Sequence, residues 1–247
     1  MSQAHNRPQL RRFDSTRSDA ITQALPVTST FPGIGNATRY LVRAAAAIAG
    51  ADEATVRSVL EEACGKVQPA EMDEVILQSY LFAGFPRALN AARAWRTVSG
   101  MPAPQTDPSA ELHQSSEWVE RGEATCRIVY GESYDLLRDN IRELHPALDA
   151  WMITDGYGKV LSRPQLSLRV RELCIVGACA AAGQQRQLHS HLHGALNSGA
   201  TAEEVSGALD SIEDLVDSEN LVRYRGLLSH VISRRHPPVR EEASNVR

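Results

Sequence analysis

The sequence predicts an all-α fold, and three of its features support that class. Alanine-rich apolar runs with helical spacing recur along the chain, as in 37–49 and 168–182. Glycines follow such runs where helices commonly end, at Gly84, Gly183 and Gly199. Aromatic residues make up only 5% of the 247 positions, whereas 43% are hydrophobic. This composition favours a core of helices that pack through small side chains.

The first half of the chain reads as an arm followed by four helices. Residues 1–30 are polar and rich in arginine without a clear period, so we expect a loose arm. Pro69 suits the first turn of a helix, and Pro86 prevents an earlier helix from continuing. The predicted helices span 37–49, 52–64, 70–83 and 87–98. Three prolines and a glycine between 100 and 108 place a linker at 100–110.

The second half predicts seven helices and a charged tail at 236–247. A turn is expected at Gly156-Tyr157-Gly158, and Thr201 with Glu204 forms a capping box before the next helix. The predicted helices span 111–120, 133–144, 146–154, 168–182, 185–198, 202–216 and 219–233.

The two halves share a pattern that predicts two tandem, degenerate repeats, at 31–99 and at 111–235. Arg39-Tyr40-Leu41 aligns with Arg171-Glu172-Leu173, and under this alignment Val59 takes the place of His191. The first repeat would therefore keep the fold without the polar pair of the second. The alternative is that two alanine-rich hairpins look alike through composition alone.

The most informative stretch is the helical hairpin around Gly183. Glu172 and His191 are 19 positions apart, so a straight helix would separate them by roughly 28 Å. A break at Gly183 would fold the second helix back and let the two side chains meet. A carboxylate and an imidazole beside an apolar seam can shift each other's pKa toward neutrality. The plainer interpretation is a helical hairpin with surface histidines.

This stretch resembles the carboxymuconolactone decarboxylase family, which includes the alkylhydroperoxidase-D-like proteins. The resemblance covers about 129–216 and is carried by the run from Gly158 to Pro164, by Arg171-Glu172-Leu173, and by His191. The peroxidase branch spaces its residues Glu-x11-Cys-x2-Cys-x3-His. Counted from Glu172, both cysteine positions hold glutamine, at Gln184 and Gln187.

The resemblance implies an alkylhydroperoxidase-D-like helical bundle and a carboxy-lyase that works without a cofactor. Its substrate would be a small carboxylated lactone or a β-keto-like acid. Loss of carbon dioxide leaves a dienolate-like anion that needs a proton. We expect His191 to donate this proton while Glu172 sets its tautomer. The resemblance also implies a homo-oligomer, from a dimer to a hexamer.

Four further side chains are candidates for contacting the substrate. Arg163 and Arg171 could hold its carboxylates, because a guanidinium group can bind a carboxylate through two hydrogen bonds. Gln184 and Gln187 are the polar neighbours of His191 on one helix face. Each also has a structural interpretation: Arg163 could pin a turn, Arg171 could pair with an acid at the helix start, and the glutamines could bridge the helix break.

The other histidines and the cysteines suggest alternatives. His189 and His193 point about 160° away from His191, so at most one of the three faces the hairpin partner. Their spacing suits a metal ion, but no carboxylate pattern accompanies it and we expect no metal. A thiol peroxidase would have to use cysteines outside any Cys-x-x-Cys motif, at Cys64, Cys126, Cys174 and Cys179.

The composition and the charge pattern argue against several other classes of protein. The 26 basic and 30 acidic residues give a net charge of −4 and no basic face, so a nucleic acid is not expected as partner. No run of about 18 apolar residues exists, so no membrane span is expected. The N-terminus lacks the apolar segment of a secretory signal, and the cysteine pattern suits a cytoplasmic protein. A non-catalytic small-molecule-binding or structural protein stays open beside the decarboxylase.

Overall fold

Residues 33–110 and 115–235 are described by a computed structural model, and every regular element within these ranges is helical. The predicted all-α fold of the alkylhydroperoxidase-D-like type is thereby confirmed, whereas the tandem repeat stays a prediction. The predicted arm at 1–30, the tail at 236–247 and part of the predicted helix 111–120 lie outside the described residues. The α-helices are α1 (Asn36–Gly50), α2 (Glu53–Ala63), α3 (Pro69–Ser99), α4 (Ser115–Tyr130), α5 (Tyr134–Leu144), α6 (Pro146–Trp151), α7 (Leu168–Ala181), α8 (Gln185–Asn197), α9 (Ala202–Asp210) and α10 (Ser218–Arg235).

Helix α3 is two helical segments joined at a sharp kink. Gly84 has a φ of 79° and a ψ of 163°, which no helix interior allows and which glycine adopts easily. Pro86 follows at once, in the early helical position that proline tolerates. The predicted break between the third and fourth helices is therefore confirmed, although the chain resumes its helix almost without a gap. The kink leaves Tyr80 and Phe85 stacked on either side of it, with ring centroids 4.8 Å apart.

The prediction of a turn at Gly156-Tyr157-Gly158 is wrong, because these residues lie inside a π-helix, Met152–Leu161, that continues α6. A side chain at Gly158 would collide with the backbone oxygen of Trp118, and one at Gly122 would collide with that of Ile153. The two glycines thus let α4 and the π-helix cross in backbone contact. Glycine often indicates a turn in a sequence, but in this protein it allows two distant segments to pack closely.

The hairpin α7–α8 lies at the centre of the molecule. Ser167 caps α7, and Gly183 turns the chain with a φ of 68° before α8 begins. The predicted helices 168–182 and 185–198 agree with the observed ones to within one residue. Helix α7 is buried along almost its whole length and packs on α1, where Gly177 lies against Val42.

The last two helices close the fold over α7 and α8. The predicted capping box at Thr201 and Glu204 is present, with both of its hydrogen bonds formed. Helix α9 ends at Asp210 rather than at the predicted 216. Leu228 and Val231 of α10 complete the core. Within the described ranges, no helix has both the length and the apolarity that crossing a bilayer requires.

Candidate functional site

Glu172 and His191 form a buried pair across the hairpin. Nδ1 of His191 lies 2.8 Å from Oε2 of Glu172, which is hydrogen-bonding distance. Glu172 is fully buried and His191 is 6% exposed. The fold-back at Gly183 thus brings together the two side chains that the sequence singled out. We call Glu172 and His191 the acid–imidazole pair.

The contact through Nδ1 defines the chemistry of the imidazole. A carboxylate can only accept a hydrogen bond, so it favours the ring form that carries a proton on Nδ1. Nε2 is then the nitrogen able to exchange a proton with a bound molecule. This arrangement is the one found where an acid orients a histidine that works as acid or base.

Only one of the two carboxylate oxygens of Glu172 has a hydrogen-bond partner among the described residues. Its second oxygen, Oε1, is buried and makes no hydrogen bond to any described residue. An unpaired buried acceptor costs about 1–3 kcal/mol, so natural proteins keep few of them. Those that persist concentrate where function requires them.

Three apolar groups enclose the pair. Phe82 of α3 meets the ring of His191 edge to face, with centroids 5.7 Å apart. Gly194, one turn after His191 on α8, leaves space for the carboxylate, because a Cβ there would lie 2.5 Å from Oε2 of Glu172 and 2.7 Å from a methyl of Val129. Neither Phe82 nor Gly194 is among the site residues predicted from the sequence. The position of Gly194 within α8 was the available signal, because a helix-interior glycine costs stability unless something packs against it.

Two tyrosines from the neighbouring elements lie close to Glu172. Tyr130 ends α4 and Tyr157 lies in the π-helix, and their rings meet edge to face with centroids 6.2 Å apart. Burial, with the negative charge of Glu172 adding to it, raises the pKa of both hydroxyls above the ordinary value. Both hydroxyls therefore stay protonated and can donate hydrogen bonds inside the protein.

Three of the four cysteines are packed inside the protein as neutral thiols. All four are free, and Cys126, Cys174 and Cys179 are buried. Burial raises the pKa of Cys126 and of Cys179 to about 12, with the charge of Glu172 contributing to both. A thiol peroxidase needs a thiolate, so these buried side chains do not favour that alternative.

Arg163 and Arg171 point into a second ionic cluster rather than toward the acid–imidazole pair. Arg171 is fully buried, and its Nη2 donates to Oε2 of Glu74 at 2.6 Å. Arg163 binds the same carboxylate through Nε and Nη2, at 2.8 and 2.7 Å, and binds both oxygens of Asp107. We call Glu74, Asp107, Arg163 and Arg171 the arginine clamp. It joins α3 to the segment before α7 and to α7 itself.

The charges of the arginine clamp compensate one another. Burial alone would raise the pKa of Glu74, but hydrogen bonds from Arg163 and Arg171 hold that pKa below its ordinary value. Hydrogen bonds from Arg163 likewise lower the pKa of Asp107. Gln78 adds a further acceptor to Arg171 at 3.3 Å. These contacts match the structural interpretation of both arginines, and a contact with substrate stays a prediction.

The remaining predicted side chains lie on the outer part of the hairpin. Gln184 is half-buried, with its Oε1 4.0 Å from the sulfur of Cys179, and Gln187 is exposed. His189 is exposed and His193 is half-buried. Of the three histidines on α8, His191 is the one that faces α7. In the described part of the chain, no group of three or more histidine, cysteine, aspartate or glutamate side chains has the arrangement of a metal site.

Three surface cavities are prominent among the described residues, and neither member of the acid–imidazole pair lines them. The first, of about 700 Å³, lies between α2 and the second half of α3. The second, of about 370 Å³, borders Asp107 and Arg163 of the arginine clamp. The third, of about 550 Å³, lies between the end of α4, α8 and the end of α10. The acid–imidazole pair is therefore an enclosed site beneath the surface.

Part of the chain is similar to known proteins. Residues 146–228 match the model of the carboxymuconolactone decarboxylase family. The matched range contains the π-helix, the hairpin and α9, and thus both members of the acid–imidazole pair. The chain is also similar to Peroxisomal protein 2 of Schizosaccharomyces pombe (strain 972 / ATCC 24843), at 29% identity over 158 residues, which are 62% of this chain and 73% of the relative. The similarity of the chain to the carboxymuconolactone decarboxylase family thus lies in residues 146–228.

Proposed function

We propose that the protein is a carboxy-lyase that needs no cofactor and transfers a proton through the acid–imidazole pair. The substrate class is a small carboxylated lactone or a β-keto-like acid. The observation that carries the proposal is the 2.8 Å hydrogen bond between Nδ1 of His191 and Glu172, inside the range that matches the family. Buried polar pairs of this kind are frequent at catalytic sites.

The reaction needs few protein groups. The bond between the substrate carbon and its carboxylate breaks, carbon dioxide leaves, and the electron pair moves into the adjacent unsaturated system. The resulting enolate-like anion then takes a proton at carbon. Nε2 of His191 would deliver this proton and regain one from water, while Glu172 compensates the positive charge on the ring.

The surroundings support this role for the pair. Apolar side chains such as Phe82 exclude water, which strengthens the electrostatic interactions of the pair and protects the anion from side reactions. The protonated hydroxyls of Tyr130 and Tyr157 are the nearby donors that could stabilise developing negative charge. Substrate contacts by Gln184 and Gln187, which lie two turns and one turn before His191, remain part of the proposal.

The arginine clamp has a structural role in this proposal. Glu74 and Asp107 compensate both guanidinium groups, so neither is a free anchor for a substrate carboxylate. The polar groups around His191 would then have to recognise the substrate without a dedicated arginine. Small, weakly charged β-keto acids fit such a site better than polyanions do.

A second candidate function is small-molecule binding without catalysis. The enclosure of the pair favours it, because His191 is 6% exposed and lines none of the three cavities. An enzyme on this scaffold has to open near Phe82 to admit its substrate, and a binding protein would open there without bond cleavage.

An assay of carbon dioxide release over a panel of carboxylactones and β-keto acids tests the proposal. We expect turnover of at least one compound, and a loss of about 10²–10⁴-fold in His191→Gln, the usual contribution of a general acid. His145→Asn is the matched control, because it removes an exposed imidazole and keeps an acceptor for the N-terminus of α6. Wild-type turnover in His191→Gln would contradict the assignment, and binding without turnover across the panel would favour the second candidate.

The proposal includes a homo-oligomer. Helices α5 and α6 expose large apolar side chains, including Leu136, Leu144 and Trp151, at 64%, 76% and 61%. Monomers rarely leave such a group of large side chains in water. Light scattering during size-exclusion chromatography would measure the mass. Residence in the cytoplasm stays a prediction, since the relative that the chain matches is named as a peroxisomal protein.

A further inference from the structure

The cavity between α4, α8 and α10 combines several basic side chains. Its lining includes His189 and His193 from one face of α8 and Arg235 from the end of α10. The two imidazole rings touch edge to face, with centroids 5.0 Å apart. His230, one turn before the end of α10, lies close enough for its charge to act on His193. We call this cavity, of about 550 Å³, the histidine pocket.

Arg235 is held in place by a short chain of hydrogen bonds. Its Nη2 donates to the side-chain oxygen of Asn197, whose amide nitrogen donates to the backbone oxygen of Val129 at 2.8 Å. Asn197 thus ties the end of α10 to the end of α4 across the cavity. The partner of Arg235 in this chain is a neutral amide, whereas carboxylates compensate the two guanidinium groups of the arginine clamp.

The charges that face the pocket favour an anion. Arg235, His189 and His193 line the pocket, and His230 of α10 lies near His193 without lining it. The turn after α4 contributes one exposed carboxylate, Glu132. Partial burial and the positive charges of His189, Arg235 and His230 lower the pKa of His193. A bound anion would relieve that repulsion, so binding would be coupled to proton uptake.

We propose that the histidine pocket is a binding site for a small oxyanion, carried on a carboxylate or a phosphate group. The site is separate from the acid–imidazole pair, because His191 lies on the opposite face of α8 and is not part of the lining. It does not depend on the decarboxylase activity. Affinity increases as the pH falls from about 8 to about 6, the range in which histidines gain their charge.

Isothermal titration calorimetry with citrate and with inorganic phosphate tests this site, at about pH 6 and about pH 8 and at constant ionic strength. We expect binding at the lower pH, weakened about tenfold at the higher pH, with protons taken up on binding. The two probes distinguish a carboxylate from a phosphate ligand. Binding of equal strength at both pH values, or no binding of either probe, would overturn the proposal.

Variants locate the binding in the pocket. Arg235→Ala and His193→Gln should each weaken the binding of the tighter probe about tenfold. Arg234→Ala is the matched control, because it removes the same charge from the adjacent exposed position without touching the cavity. Equal losses of affinity in Arg234→Ala and Arg235→Ala would show that only the net charge matters, which would contradict a specific site. If neither anion binds, and Zn²⁺ binds tightly unless His193 is changed to Gln, the pocket is a metal site and the oxyanion proposal is wrong.

Discussion

The arginine clamp and the acid–imidazole pair are two buried polar clusters that begin at consecutive residues of α7. Arg171 and Glu172 follow one another in the chain, so their side chains leave the helix about 100° apart. In the arginine clamp, the hydrogen bonds recorded for Glu74 reach both of its oxygens. In the acid–imidazole pair, one carboxylate oxygen of Glu172 has no partner among the described residues. The arginine clamp thus satisfies its central carboxylate, as expected of a cluster that stabilises the fold. The acid–imidazole pair instead keeps one carboxylate oxygen unpaired.

The largest expected effect on stability comes from removing the acid of the arginine clamp. Glu74→Ala leaves two guanidinium groups near α7 without their shared counter-charge, which should cost about 3–5 kcal/mol in free energy of unfolding. Urea denaturation measures this loss. Glu120→Ala is the control, because it removes an exposed carboxylate from α4 and should change the free energy by less than about 0.5 kcal/mol. Similar stability of the two variants would show that the clamp is not structural.

A smaller effect is expected where α8 approaches Glu172. Gly194→Ala would place a methyl group 2.5 Å from the carboxylate, which should cost about 1–3 kcal/mol and displace the acid from His191. Thermal denaturation measures the first effect, and the turnover rate measures the second. Gly226→Ala on α10 is the matched control, since its Cβ would meet open space and should stabilise the helix by about 0.5–1 kcal/mol. Wild-type stability and turnover in Gly194→Ala would show that this close approach is unimportant.

The smallest expected effect is the loss of unfolding free energy at acidic pH. The pKa values of Glu74 and Asp107 are lower in the folded protein than their ordinary values of 4.5 and 3.8. Their stabilising contribution is therefore complete above those values and is lost as the pH falls below them. The unfolding free energy of the wild type should fall between about pH 5 and pH 3, and more steeply than that of Glu74→Gln. Parallel curves for the two proteins would mean that other carboxylates carry the whole acid dependence.

Local signals in the sequence were enough to predict the hairpin and most helices. Gly183 adopts a positive φ at the predicted break, and Thr201 caps α9 through contacts within four residues. The meeting of Glu172 with His191 followed from that single turn. Such features depend on neighbours in the chain, which a sequence displays directly.

Features that depend on distant segments could not be predicted in this way. The acid that binds Arg163 and Arg171 lies 89 and 97 positions before them, so nothing near either arginine indicates a structural partner. Gly156-Tyr157-Gly158 has the sequence of a turn but lies in the π-helix, because Gly158 packs against Trp118, which is distant in the chain. Phe82 reaches the ring of His191 from α3, and its sequence surroundings carry no mark of that role.

The most direct test of the account compares Glu172→Gln with Arg171→Met on a substrate that the panel identifies. Turnover per folded molecule should fall about 10²–10⁴-fold in Glu172→Gln with little change in stability, because the amide keeps the shape and loses the charge that orients His191. Arg171→Met should lower the free energy of unfolding by about 3 kcal/mol or more and keep the turnover of its folded fraction. Unchanged turnover in Glu172→Gln, or equal losses of turnover in both variants, would contradict the division of roles between these two neighbouring side chains.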